Sequence, residues 1–223
     1  MSLSSAGLLT VTGGVTMTGT TPTLTIGDAG AEDTKIVFDG NAQDFHIGLD
    51  DSADDLVIGL GSTLGTTSHI VIDEAGHVTK PLQPCFHIFA DADTNYANDA
   101  VLFTSNITEI YDLNADMSTG GIFTAPVTGK YHFETSAMFS DLEDGEYAFF
   151  RLVASNRELQ LHMRQKYEEG ATGYSNYWKI IGSCIVDMDA SDTAKIVCSV
   201  DSTHTLTGSG SGVDSWFAGY LIC

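Results

Sequence analysis

The sequence predicts an all-β protein, and three observations predict it. After Gly129 the residues alternate strictly. Tyr131, Phe133, Thr135, Ala137 and Phe139 fall on one face, and Lys130, His132, Glu134 and Ser136 on the other. That period of two is a strand with one buried face. Glycine is abundant (23 of 223 residues) and threonine frequent, while long runs of Ala, Leu, Glu and Lys are absent. In the first third of the chain, short apolar pieces closed by Gly or Asp recur, with centres at Ile26, Val37, Ile47, Ile58 and Val71, 10 to 13 residues apart.

From the start, Leu9–Thr12 and Val15–Thr18 read as short alternating pieces. The repeat follows as Leu24–Asp28, Lys35–Gly40, Phe45–Asp50, Leu56–Leu60 and His69–Asp73. A strand of about five residues is not stable alone, so such a series stacks on itself or on copies from other chains. Residues 1–82 are therefore expected to form an elongated β-repeat shaft, trimeric and intertwined or solenoid-like. An ordinary small β domain is the other reading. The rhythm resembles the triple-stranded shafts of phage tail fibres. Lys80-Pro81-Leu-Gln-Pro84 is a stiff connector, and residues 83–223 are expected to be a separate head.

Within the head, Phe86–Phe89, Val101–Phe103 and Ile107–Tyr111 read as strands. Pro126 and Gly129 bracket a tight corner before the long strand. Tyr147–Val153 and Leu159–Met163 form a hairpin turning at Asn156. Tyr174–Met188 is the longest strand candidate, with Ala194–Cys198 after a turn at Asp189–Asp192, and Ser215–Ile222 closes the chain.

The order Phe123-x-x-Pro126-x-x-Gly129-x-Tyr131-x-Phe133, with the ending Ser-Trp-Phe-Ala-Gly-Tyr-Leu-Ile, resembles the complement C1q-like globular head over residues 84–223. The resemblance implies a ten-stranded jelly-roll sandwich, built like tumour necrosis factor (TNF), that works as a homotrimer. Thr135 stands where that family has an aromatic, Arg157 where it has the turn glycine, and no collagen repeat precedes the head. The last departure points to a microbial or viral fibre. Heads of this kind often hold Ca²⁺ near the threefold axis, so calcium is the one metal expected, with no ligands assigned and no other cofactor.

Net charge is −21, from 30 acidic and 9 basic residues. Such a surface repels nucleic acid. No segment approaches about 18 unbroken apolar residues, so membrane insertion is not expected. The first residues have neither a positive n-region nor an apolar run, so no signal peptide is expected in this chain. Cys85, Cys184, Cys198 and Cys223 form no C-x-x-C pair. Cys184 and Cys198 flank Ser191 in an expected hairpin, as buried free thiols or as a cross-strand disulfide. The seven histidines are scattered singly. Asp141–Glu146 fails the EF-hand spacing, and Gly59–Gly65 reads as a turn. No G-x-S-x-G, P-loop or H-E-x-x-H occurs. Asn106-Ile-Thr108 is a glycosylation sequon, meaningful only in a eukaryotic secretory route.

A non-enzymatic binding or structural role is therefore expected, extracellular or on a virion, with a cell-surface receptor or carbohydrate as partner. The alternatives are a secreted or surface C1q-like adhesin or lectin, a purely structural virion part, and, last, a polysaccharide-cleaving tailspike using paired carboxylates. In the implied jelly roll four loops share the far tip. They hold the candidate binding residues Asp91, Asp93, Asn95, Tyr96 and Asp99; Asp141, Glu143 and Asp144; Tyr167, Glu168, Glu169 and Tyr174; and Thr207 and Ser209. Carboxylates and amides can hydrogen-bond sugar hydroxyls, and tyrosine can offer a ring face.

Overall fold

The computed structural model describes all residues except 1, 4–6, 8, 141, 144, 166–176 and 209–212. The described residues are all-β, with no helix, and divide into two compact units, Met1–Thr79 and Lys80–Cys223.

The first unit holds β1 (Ser2–Leu3) and β2 (Leu9–Thr10), paired with each other. It also holds β3 (Thr34–Phe38), β4 (Phe45–Asp50), β5 (Asp55–Leu60), β6 (Ser68–Ile72) and β7 (Val78–Thr79) in one antiparallel meander. Four of the five repeat pieces are strands of this meander. Leu24–Asp28 and Val15–Thr18 carry no strand. The register aligns Ile36, Ile47, Ile58 and Ile70 in one row. Two residues away on the same face lie Leu49, Leu56 and Ile72 on one side and Phe38, Phe45 and Leu60 on the other. One face of the meander is thus apolar from edge to edge. Phe38 is 61% exposed, and Ile36, Phe45, Leu49 and Leu56 are also exposed.

The second unit contains β8 (Cys85–Ala90), β9 (Thr94–Tyr96), β10 (Ile107–Asp112), β11 (Ile122–Thr124), β12 (Gly129–Phe139) and β13 (Tyr147–Ala154). It continues with β14 (Arg157–Gln165), β15 (Trp178–Met188), β16 (Thr193–Val200), β17 (His204–Leu206) and β18 (Trp216–Leu221). One sheet runs β10-β8-β18-β12-β15, with the short β17–β9 ribbon attached where Leu206 pairs with Phe139. The other runs β11-β16-β13-β14. First and last strands are neighbours, and the chain crosses repeatedly between the sheets, which is a jelly-roll sandwich. This strand order makes the unit a jelly roll of the TNF/C1q type.

The alternation expected of β12 is present: Tyr131, Phe133, Thr135, Ala137 and Phe139 are buried. Thr135, at the position of the missing aromatic, is fully buried with its hydroxyl donating to Trp216 O at 2.8 Å. The hairpin at Ser155–Asn156 joins β13 to β14. The expected hairpin around Ser191 is not one. β15 pairs with β12 while β16 pairs with β11 and β13, so the turn carries the chain from one sheet to the other. Alternation marks strands but not the sheet they join, and Cys184 and Cys198 therefore lie in different sheets. All four thiols are free. Val101 makes only a bridge to Val197, while Leu102 and Phe103 are buried in a loop.

Between the sheets lies an aromatic cluster. Phe86 contacts Phe217 edge-on at 4.9 Å and Phe123 at 5.2 Å, and Phe123 meets Phe133 at 5.5 Å. Gly219 lies beneath it. A Cβ there would meet Phe133 Cδ1 at 2.6 Å and Phe86 Cε1 at 2.8 Å.

Gly219→Ala is expected to destabilise the head by about 1–3 kcal/mol through overpacking, and Phe133→Ala by about 3–5 kcal/mol through cavity formation. Denaturant unfolding of both variants checks this. Burial pushes the Cys184 and Cys198 thiols up to about 11, whereas Cys223 is exposed. A thiol reagent at pH 8 should modify Cys223 first, the partly buried Cys184 more slowly, and Cys198 only on unfolding; mass mapping of the labelled chain reads the order.

Candidate functional site

The ends of the head strands sort its loops into two groups. At one end Gln83 Nε2 donates to Leu221 O at 2.6 Å, Lys130 N donates to Cys223 O at 2.8 Å and Ala190 N donates to Thr128 Oγ1 at 3.1 Å. A cleft of about 170 Å³ lies here, lined by Lys130, Asn156, Asp187 and Asp189 among others. At the opposite end lie the 91–99 loop, the segment after Phe139 and the chain around β17.

There the expected loops are tied together by backbone. β9 pairs with β17, placing His204 opposite Tyr96, Thr205 opposite Asn95 and Leu206 opposite Thr94. Thr205 Oγ1 donates to Asn95 Oδ1 at 2.7 Å, and Gly208 N donates to Asp93 Oδ1 at 2.9 Å. Ser140 N donates to Thr205 O, and Thr207 N to Met138 O. Asp91 Oδ2 accepts from Thr108 Oγ1 at 2.8 Å. Asp91, Asp93, Asn95, Glu143 and the half-buried Thr207 lie within this loop cluster. Asp141, Asp144, Tyr167, Glu168, Glu169, Tyr174 and Ser209 lie outside the described residues.

Two residues differ from what the sequence suggests. Tyr96 is 4% exposed, so its ring belongs to the core, and its hydroxyl accepts from Thr104 N at 3.3 Å. Alternation along β9 turns Tyr96 inward once Asn95 faces out. Asp99 pairs with Arg151, which also donates to Glu158 at 2.7 Å, and accepts from Ser199 Oγ at 3.2 Å. The Glu158 hydrogen bond is the main reason the Arg151 guanidinium is raised further above its ordinary value. Asp99 thus has a structural partner on β13.

Sequence reasoning missed a group formed by Glu146, Asp201 and His204, whose ligand atoms all lie within 4.8 Å of one another. β13 and β16 pair as far as Ala148 and Val200. The next residues outward, Tyr147 and Asp201, stay in contact, with Tyr147 N donating to Asp201 Oδ1 at 3.4 Å. That brings Glu146, which precedes β13, beside the Asp201–His204 turn. The local signal was Asp201-x-x-His204; the third member is 55 residues away and legible only from the pairing. Calcium prefers six to eight oxygens. One imidazole and two carboxylates do not match that donor set, so this group is not the calcium site that the resemblance implies.

No family model matches the chain, and no curated protein matches it in sequence. Among solved structures, Eiger TNF from S. frugiperda is similar at 9% identity and a TM-score of 0.49, over 63% of this chain and 93% of that one. Murine APRIL is similar at 12% identity over 63% of this chain and 99% of its own, with TM-scores of 0.44 at pH 5.0 and 0.43 at pH 8.5. The strand order, and not these likenesses, is what defines the jelly roll here.

Asp93→Ala removes the acceptor for Gly208 N–H and is expected to destabilise the head by roughly 0.5–1.5 kcal/mol. Asn95→Ala removes the Thr205 contact with a similar effect, read by denaturant unfolding.

Proposed function

We propose that the protein is a non-enzymatic, homotrimeric receptor-binding fibre protein. In this reading it is a distal part of a phage or viral tail fibre, and the loop end of its head recognises a cell-surface receptor or glycan. The observation that carries self-association is the apolar face of the β3–β6 meander. Ile36, Ile47, Ile58 and Ile70 run across it with Phe38 and Phe45 alongside, in a chain of net charge −21. A contiguous apolar face of this kind marks an interaction surface.

The head adds a second face, of mixed character, with His87, Ala218, Glu134 and Ser183 in its middle row. On the outer side of the β8–β18–β12–β15 sheet, Cys85, Tyr220, His132 and Ile185 form one row, and Phe89, Trp216, Ser136 and Ile181 another. Ile181 and Ile185 are 61% and 59% exposed. A copy of the same chain is the covering that closed symmetry supplies. The count of three comes from the C1q-like resemblance. At the loop end, Asp91, Asn95 and Glu143 present carboxylates and an amide on a rigid scaffold, where binding residues are usually found. Calcium belongs to the proposal through the resemblance alone.

Light scattering at micromolar concentration should give three times the chain mass. Ile47→Glu together with Ile58→Glu should shift the mass toward the monomer; a wild-type chain that runs as a stable monomer refutes the assembly. Glycan-array and host-cell adhesion measurements test the binding. Trimers carrying Asp91→Ala, Asn95→Ala and Glu143→Ala should lose most adhesion, and unchanged adhesion moves the site elsewhere.

A further inference from the structure

We propose that Glu146, Asp201 and His204 form a binding site for a divalent transition metal of the zinc type. His204 is 2% exposed and directs Nε2 between the two carboxylates. Nε2 stands 3.3 Å from Asp201 Oδ1 and 3.9 Å from Glu146 Oε2. A direct imidazolium–carboxylate hydrogen bond closes to about 2.7–2.9 Å. The exposed His77–Asp73 pair of this chain does so, at 2.8 Å. In the buried group the His204–Asp201 hydrogen bond is longer, 3.3 Å, and Glu146 Oε2 stands at 3.9 Å, separations close to those between donors that share one ion. Zinc takes nitrogen and oxygen donors at about 2.0–2.2 Å in tetrahedral geometry, which sets the donors about 3.4 Å apart.

The surroundings fit a built site. The Phe139 ring lies 6.1 Å from the His204 ring and walls it on the core side. Ser202 Oγ bridges the group, 3.2 Å from His204 Nε2 and 3.3 Å from Glu146 Oε1. Tyr147 N–H, donating to Asp201 Oδ1, orients that carboxylate. Glu146 and Asp201 are 24% and 31% exposed, so an ion has a path in from solvent on the carboxylate side. An imidazole with two carboxylates suits zinc better than calcium or magnesium, which favour all-oxygen shells. Three protein donors leave one position for water or for an oxygen of a bound partner.

Such an ion would join the segment before β13 to the turn between β16 and β17, and through the Tyr96–His204 pair to β9. It would therefore fix the loop end of the head. This inference does not depend on the receptor reading: a metal could be held here whatever the loops recognise.

The test uses the full chain, stripped with a chelator and titrated with Co²⁺ and Zn²⁺. One equivalent of Co²⁺ per chain should bind with a visible d–d absorption band that Zn²⁺ abolishes. Glu146→Gln and Asp201→Asn should each weaken Zn²⁺ binding by more than about tenfold, at least the loss seen for supporting residues. His204→Gln should abolish it; the two partly exposed carboxylates keep the test alive if that variant fails to fold. His77→Gln should bind as wild type. At a hundredfold excess over Kd, Zn²⁺ should raise the melting temperature of the wild-type chain by about 5–10 °C. The proposal is overturned by the absence of one-equivalent binding. It is equally overturned by binding unchanged in Glu146→Gln and Asp201→Asn, by loss in His77→Gln, or by a calcium response that disappears with His204→Gln.

Discussion

The head depends on the aromatic contact between its two sheets. Phe86 from β8, Phe133 from β12 and Phe217 from β18 enter from one sheet, and Phe123 from β11 enters from the other. These rings are fully buried and meet in edge-on and offset arrangements, which suit the ring quadrupole. Their packing requires three strands distant in sequence to lie side by side, and Gly219 lets β18 approach closely enough. Tyr131 extends the cluster at the cost of burying a hydroxyl, which is met by donation to Val127 O at 2.7 Å. Burial also pushes that phenol up from its ordinary range.

With the core fixed, the two ends of the sandwich differ. At one end the loops bind each other and the chain's last residues through backbone hydrogen bonds. At the other, the short β9–β17 ribbon caps the sandwich and holds acidic and amide side chains outward. Asp99 and Arg151 show how a loop carboxylate becomes structural once a cation on β13 lies within reach. Among the described residues Asp91 and Glu143 have no such cation beside them, so their charge stays at the surface, with the Asn95 amide exposed nearby.

The chain combines a strongly acidic surface with an exposed apolar face on the meander and a mixed head face that exposes Ile181 and Ile185. These tendencies oppose each other. Like charges keep copies apart over a Debye length, about 8 Å at physiological salt, whereas apolar burial acts at contact. The proposed self-association would therefore depend on shape and register at the faces, and would strengthen as salt screens the repulsion.

Sequence alone determined the β class, most of the longer strands and the buried face of β12. Those follow from alternation and turn chemistry, which are local. The β13–β14 hairpin was legible because its turn is short, and the repeat rhythm located β3 to β6. What sequence could not decide was which strands pair. The β15–β16 turn has the signs of a hairpin and is a crossing between sheets, because the partner of each strand lies far away in the chain. Tyr96 looked like a loop aromatic and is core, since its inward orientation is set by pairing with β17. Glu146, Asp201 and His204 converge only because β13 and β16 share a ladder, a contact between segments more than 50 residues apart that no local spacing records.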